Sequence, residues 1–285
     1  MTPRERVLTA LRHEPPDRTP RDFWAEPPTW NRLFAHVGHA DKDRVLDQLG
    51  VDVRHLEAPA PPERDVGDGV FQNFWGERFI CQQTPWGPMR EDGKGALAAA
   101  RSFSDLESFA WPSPDCLDRS SLSEQCRRHP EHALLYGFAD VWQRPALVRG
   151  WEEFFVDMAE RPEWVHFLCR QFTDFYLEDY TRAAEITRGR IDLYLLLSDL
   201  GSQRGPLISA AMFHKFVAPY LKEMTVLKAI ATAGDFTDFA KKTKVQVTRA
   251  DGRKINVNCV KAQRDPKLDV PVFPDDTVFV PRRYF

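Results

Sequence analysis

Apolar positions recur at helical spacing from the first residues, where Val7, Leu8 and Leu11 share one face, and the pattern predicts a helix from Thr2 to His13. Thr2 suits the N-cap, Pro3 the first helical position and Glu5 the third, a variant of the capping box. A proline-broken turn, Glu14 to Pro20, leads into Arg21–Glu26, short enough for a first strand ending at Glu26. Helices over Thr29–Val37 and Asp41–Leu49 precede Gly50–Leu56, whose alternation predicts a second strand. Residues 57–115 are rich in proline, glycine and aromatic residues and carry no long period. They read as an elaborated loop region with a β-hairpin through Phe79–Pro88.

Helical order returns at Asp118–His129 and is followed by the apolar run Ala133–Phe138, a helix-then-strand unit. Two amphipathic helices follow, Trp151–Glu160 and Glu163–Thr187. Ile191–Leu197 is almost continuously apolar, the pattern of a parallel strand buried on both faces. Ala210–Ala233 reads as one helix kinked at Pro219. The period then changes. Lys244–Arg249 and Lys254–Val260 alternate on either side of Asp251-Gly252, a hairpin, and Asp276–Val280 gives a last strand. Strands alternating with helices make the body of the chain an α/β fold, with a small β-rich appendage behind it.

Composition sharpens that division. All eight tryptophans lie at or before Trp164, and no glutamate follows Glu223. Only Lys42, Lys94, Lys215 and Lys222 precede residue 225, whereas seven lysines follow it. From Thr225 onward twelve Lys and Arg face seven Asp, a net charge of +5 that leaves −8 for the rest of a chain whose total is −3. A shift this sharp predicts two parts of different origin, 1–224 and 225–285, joined near Met224. No stretch approaches the roughly 20 apolar residues needed to cross a bilayer, and the N-terminus lacks the apolar core of a signal peptide, so a cytoplasmic location is expected and no membrane partner. Cys81, Cys116, Cys126, Cys169 and Cys259 are scattered without metal-binding spacing, and the histidines show no HxH or HExxH pattern. Neither a metal nor another cofactor is expected. The charge balance and the missing reader motifs argue against nucleic acid.

Thr2-Pro3-Arg4-Glu5-Arg6-Val7-Leu8, Pro16-Asp17-Arg18-Thr19-Pro20 and Leu49-Gly50-Val51-Asp52 form one set of motifs. A longer block runs from Ser198-Asp199-Leu200-Gly201-Ser202-Gln203 through Phe216-Val217-Ala218-Pro219-Tyr220. On these residues the first part resembles the uroporphyrinogen decarboxylase superfamily, which includes corrinoid-dependent methyltransferases. The resemblance implies a (β/α)8 barrel, here incomplete after about five strands, acting on a tetrapyrrole or corrinoid substrate by decarboxylation or methyl transfer. It does not carry over intact. The positions of the decarboxylase's arginine grip fall on Ala25 and Thr29, and a substrate-facing tyrosine falls on Ala146, while a substrate-contacting serine matches Ser202. The methyltransferases' zinc ligands come from a later part of the barrel that has no counterpart here. An inactive lyase or methyltransferase relative is therefore expected.

The second part, through Thr225–Ala240 and Phe273–Pro281, resembles the soluble-ligand-binding β-grasp domain of polysaccharide-export proteins, without its opening hairpin. That resemblance implies a non-catalytic alternative, binding of an acidic polysaccharide through the tail, whose hairpin carries Lys241, Lys242, Lys244, Arg249, Arg253 and Lys254. A half-finished barrel leaves strand edges unpaired, so a marginally stable, aggregation-prone chain is expected.

For a ligand site in the first part, Asp199, Ser202 and Gln203 follow a buried strand, where a barrel sets its functional groups, although Asp and Ser beside Gly201 are also ordinary turn formers. Glu26, after the first predicted strand, is a candidate pocket carboxylate or a solvated loop charge. Asp52 is expected to pair with an arginine, such as Arg54 or Arg21, instead of doing chemistry.

Overall fold

The computed structural model describes residues 1–85, 87–221, 242–249, 252–259 and 277–279. The helix α1 (Pro3–Leu11) opens on a true capping box, Thr2 accepting from the Glu5 N–H and Glu5 answering on the Thr2 N–H at 2.8 Å. Next come α2 (Pro27–Val37), whose proline start follows the N-cap Glu26, and α3 (Lys42–Gln48), capped by the Asp41 side chain. The strand β1 (Val53–Leu56) is the first of the main parallel sheet.

Between β1 and the next helix of the main layer lies an insert of four antiparallel strands in chain order: β2 (Arg64–Asp65), β3 (Val70–Gln72), β4 (Arg78–Thr84) and β5 (Gly87–Asp92). The expected hairpin is its outer half, with Phe79 opposite Asp92 and Thr84 opposite Gly87. After α4 (Phe103–Glu107) and α5 (Leu122–Arg128), β6 (Ala133–Ala139) lies parallel to β1, with Val53 opposite Ala133 and Leu56 opposite Tyr136. Three helices follow, α6 (Gln143–Arg149), α7 (Trp151–Glu160) and α8 (Pro162–Ile186). They lead to β7 (Leu193–Leu196), which adds in parallel to the other edge of β6. A small hairpin, β8 (Gly201–Ser202) with β9 (Gly205–Pro206), precedes α9 (Ala210–Phe216).

The body is thus a mixed α/β layer, a parallel sheet in the order β1-β6-β7 with helices packed on it. The core sits between the sheet and α8, whose Leu168, Phe172, Tyr176 and Ala183 recur four or seven residues apart and are buried. Trp75 of the insert joins this core, 4.4 Å from Phe172 between ring centroids. On the opposite face Val7 of α1 packs against Val53 and Ala133. Asp192 pins that end, pairing with Arg4 at 2.8 Å and accepting from the Leu134 N–H at 3.0 Å.

Four expectations change. Arg21–Glu26 forms no strand: Arg21 exchanges single bonds with Asp52, backbone to carboxylate and carbonyl to amide at 2.8 Å each, and the chain then diverges toward Pro27-Pro28. Asp52 itself is gripped by Arg6 at 2.5 Å and Arg18 at 2.7 Å, while Arg54 turns to Asp43 and Asp47 on α3. The strand β7 is half-buried along its whole length, because no further strand flanks it among the described residues. The helix expected over 210–233 ends at Phe216, with Val217 out of helical register two residues before Pro219, and residues 218–221 are helical again. Beyond 221 its continuation, the join near Met224 and the Thr225–Ala240 motif lie outside the described residues, as do Lys241, Asp251 and most of Phe273–Pro281.

The tail, taken by itself, is a three-stranded antiparallel sheet. The strands β10 (Val245–Thr248) and β11 (Lys254–Val257) pair in the expected hairpin, Val247 opposite Ile255, and β12 (Thr277–Phe279) adds to the other edge of β10. Gly252, at φ 83°, supplies the left-handed turn that closes it. No described helix is long and apolar enough to cross a membrane.

Candidate functional site

The carboxyl ends of β1, β6 and β7 face the same side, since the three strands are parallel, and polar groups collect there. Asp140 follows β6 directly and is 3 % exposed. Its Oδ1 accepts from the Ser198 hydroxyl at 2.6 Å, beyond the end of β7, and from the backbone amides of Trp142 and Gln143 at 3.0 and 2.8 Å. Burial raises the Asp140 carboxyl above its usual range, and these three donors with nearby Arg144 offset only part of that. A carboxyl so placed is a candidate for holding or passing a proton.

In the first turn of α6, Arg144 donates to Glu77 at 2.7 Å. Glu77 comes from the insert and is 2 % exposed; its Oε2 also accepts from Asn73 at 2.6 Å and Arg90 at 3.0 Å, while Oε1 is buried with no hydrogen-bond partner. Burial works against the Arg144 charge, but Glu77, Tyr176 and Asp140 more than compensate, so its pKa is raised and it stays a guanidinium. A second pair lies beside it. Asp179 of α8 accepts from Arg119 at 2.6 and 2.8 Å and from the Tyr136 hydroxyl at 2.9 Å, and burial still raises its carboxyl.

Arg144, Tyr136 and Asp179 open on a cavity of about 600 Å³ at the ends of β1 and β6, whose remaining wall is largely aromatic: Phe74, Trp75, Phe138, Phe175 and Tyr176. Glu57, the first residue after β1, stands at its rim. The Gln125 side-chain amide clamps it there, accepting from the Glu57 N–H at 2.9 Å and donating to its carbonyl at 2.8 Å. A flat apolar body against the rings and an anionic group on Arg144, which has donors beyond the one given to Glu77, is the ligand such a wall accepts.

The residues singled out from sequence lie elsewhere. Asp199, Ser202, Gln203 and Glu26 are all exposed and none lines this cavity. Ser202 sits in β8, donating to the Gly205 carbonyl at 3.1 Å and accepting from the Arg204 N–H at 3.2 Å, which is turn chemistry. Glu26 is the N-cap of α2 and makes no side-chain capping bond. The rule that pointed to Asp199, a polar residue just past a buried strand, also fits Asp140 after Ala133–Ala139. Arg144 and Glu77 carried no such signal, being 67 residues apart. Among the described residues no group of three or more His, Cys, Asp or Glu is placed to hold a metal ion.

No protein-family model matches the chain, and no curated protein does. Among solved structures the chain is similar to a methyltransferase from Methanosarcina mazei, at 14 % identity and a TM-score of 0.48, over 78 % of this chain and 66 % of that one. The chain thus spans a little under two thirds of that protein's length. A likeness at this level assigns no chemistry.

Proposed function

We propose that the cavity at the ends of β1 and β6 binds a tetrapyrrole- or corrinoid-related substrate, with decarboxylation or methyl transfer as the associated chemistry. The observation that carries this reading is the pairing of an aromatic wall with the Arg144 guanidinium at the carboxyl edge of a parallel sheet. The sequence motifs shared with the uroporphyrinogen decarboxylase superfamily support the substrate class. Arg144 holds a carboxylate of the substrate, the rings pack on its flat body, and Asp140, whose carboxyl burial raises, exchanges a proton through Ser198. Three parallel strands among the described residues, against the eight of a closed barrel, support a narrower form in which binding is retained and turnover lost.

The test uses the full-length chain with uroporphyrinogen, and separately with methyl-corrinoid and a thiol acceptor. Binding followed by absorbance is expected for at least one of them, weakened about tenfold by Arg144→Met. Binding to neither, or binding indifferent to Arg144, overturns the reading; product formation would replace the narrower form with the full activity.

A second reading rests on the tail, where the β10–β11 hairpin forms and exposes Lys244, Arg253 and Lys254. Such a face suits an acidic polysaccharide. Retention of the full-length chain on immobilised alginate, lost on Lys244→Gln with Lys254→Gln, is the expected result, and absence of retention at low salt sinks it.

A further inference from the structure

A second cavity, of about 660 Å³, lies on the other side of Glu57, bounded by the 23–30 segment, α3, the end of β1 and α5. It exists because Arg21–Glu26 leaves the edge of β1 after the contact with Asp52, opening a gap where a neighbouring strand would otherwise lie.

One wall is aromatic. Phe23 and Trp30 meet edge to face, with centroids 5.0 Å apart, and Trp24 stands beside them 64 % exposed. Its ring meets Phe138, 6.2 Å away between centroids, yet most of its surface stays open to solvent, where further burial would be favourable. The facing wall is charged. Lys42, Arg54 and Arg128 line it against two carboxylates, Asp43 and Glu57. Lys42 is shared between Glu57 at 3.3 Å and the face of Trp30, 5.5 Å from its centroid. Arg128 is mostly exposed, and its nearest acid, Glu124, is 3.9 Å away.

Arg54 adds fixed positive charge to that wall. It is 2 % exposed; two of its nitrogens are satisfied by Asp47 and by the carbonyls of Val51 and Val53 at 3.1 Å. Its Nε is buried beside Asp43 at 3.6 Å, so Arg54 acts on a ligand through its charge rather than through a direct hydrogen bond.

We propose that this cavity is a second ligand site, which takes a small flat aromatic molecule bearing a carboxylate or a phosphate. The ring lies against Trp24 and Trp30, and the anion sits toward Arg54 and Arg128. The site adjoins the Arg144 cavity, sharing Leu56, Glu57 and Pro59 with it, but its cations are different ones.

The experiment titrates the full-length chain with 2-naphthoate, 2-naphthyl phosphate and neutral 2-naphthylmethanol by saturation-transfer NMR. At least one anion is expected to bind tenfold or more tightly than the alcohol, and the two anions tell carboxylate from phosphate. Trp24→Ala weakens that binding about tenfold, Arg128→Met about threefold with a smaller salt dependence, and Arg144→Met leaves it unchanged within twofold. Both Trp24 and Arg128 are exposed, so their variants melt with the wild type. Equal binding of the alcohol, no binding at millimolar ligand, or a greater loss from Arg144→Met than from Trp24→Ala overturns the proposal. Because the Arg144 variant is one arm, failure here is distinguishable from failure of the tetrapyrrole reading.

Discussion

Gly137 and Tyr180 occupy space that only a glycine leaves open: a Cβ on Gly137 would stand 2.2 Å from the Tyr180 ring. The close approach lets the Tyr180 hydroxyl accept from the Ala139 N–H at 2.9 Å and donate to the Leu195 carbonyl at 2.7 Å. It thereby bridges β6 and β7 where their register slips, between Tyr136 and Ala139. Gly137 also sits at φ 86°, which L side chains avoid.

Gly137→Ala is therefore expected to destabilise the chain by about 3 kcal/mol, overpacking adding to left-handed strain. Tyr180→Phe, which removes only the bridge, costs about 1–2 kcal/mol. Urea titration followed by circular dichroism checks both; a Gly137→Ala variant as stable as the wild type would mean that the Tyr180 ring does not press on residue 137.

Asp140 makes a contrary prediction. Its carboxyl is raised in the folded chain, so the fold binds its proton more tightly than the unfolded state does. Its effect is absent below the ordinary carboxylate pKa, grows as a penalty while pH rises toward the raised value, and is constant above it. Asp140→Asn, which keeps an acceptor for Ser198, is expected to melt at or above the wild-type temperature at pH 7 and at no higher temperature at pH 3. If turnover exists, the same variant abolishes it.

Asp52 behaves oppositely. Burial acts to raise its carboxyl, but Arg18, the Arg21 amide and Arg6 prevail and hold it below the usual range. Its stabilisation is complete above the unfolded carboxylate pKa and is lost as pH falls through the lower folded value. Asp52→Asn removes the charge that Arg6 and Arg18 share, although Arg6 keeps Asp17 at 2.5 Å, and is expected to cost about 2 kcal/mol at pH 7. The difference from wild type should shrink below pH 3 in acid-unfolding curves.

These residues also show what the sequence disclosed. The start of α1 was legible because Thr2 with Glu5 acts locally on the backbone. The tail hairpin was legible because strict alternation around Asp251-Gly252 needs no distant partner. The segment 21–26 carried a strand-like pattern, yet a strand exists only through backbone pairing with its neighbour, and after Arg21 only the Asp22 side chain reaches β1, at His55. The same holds for the site. Asp140 obeyed a positional rule, whereas the worth of Arg144 depends on Glu77, in a region that showed no long period.

Glu77→Ala tests that dependence. It leaves Arg144 and Arg90 without their shared buried acid and is expected to cost about 3 kcal/mol or more. Thermal unfolding would show it, and Glu77→Ala with Arg144→Met should recover part of the loss.

The antiparallel insert is commonly the first region a protein engineer would trim, being an excursion between β1 and α5. Here its acid neutralises a cation rooted in α6, and its Trp75 is wedged against α8. A shortened chain lacking residues 64–92 would inherit a stranded guanidinium and an unfilled hollow, so the smallest foldable version of this body must carry its detour along.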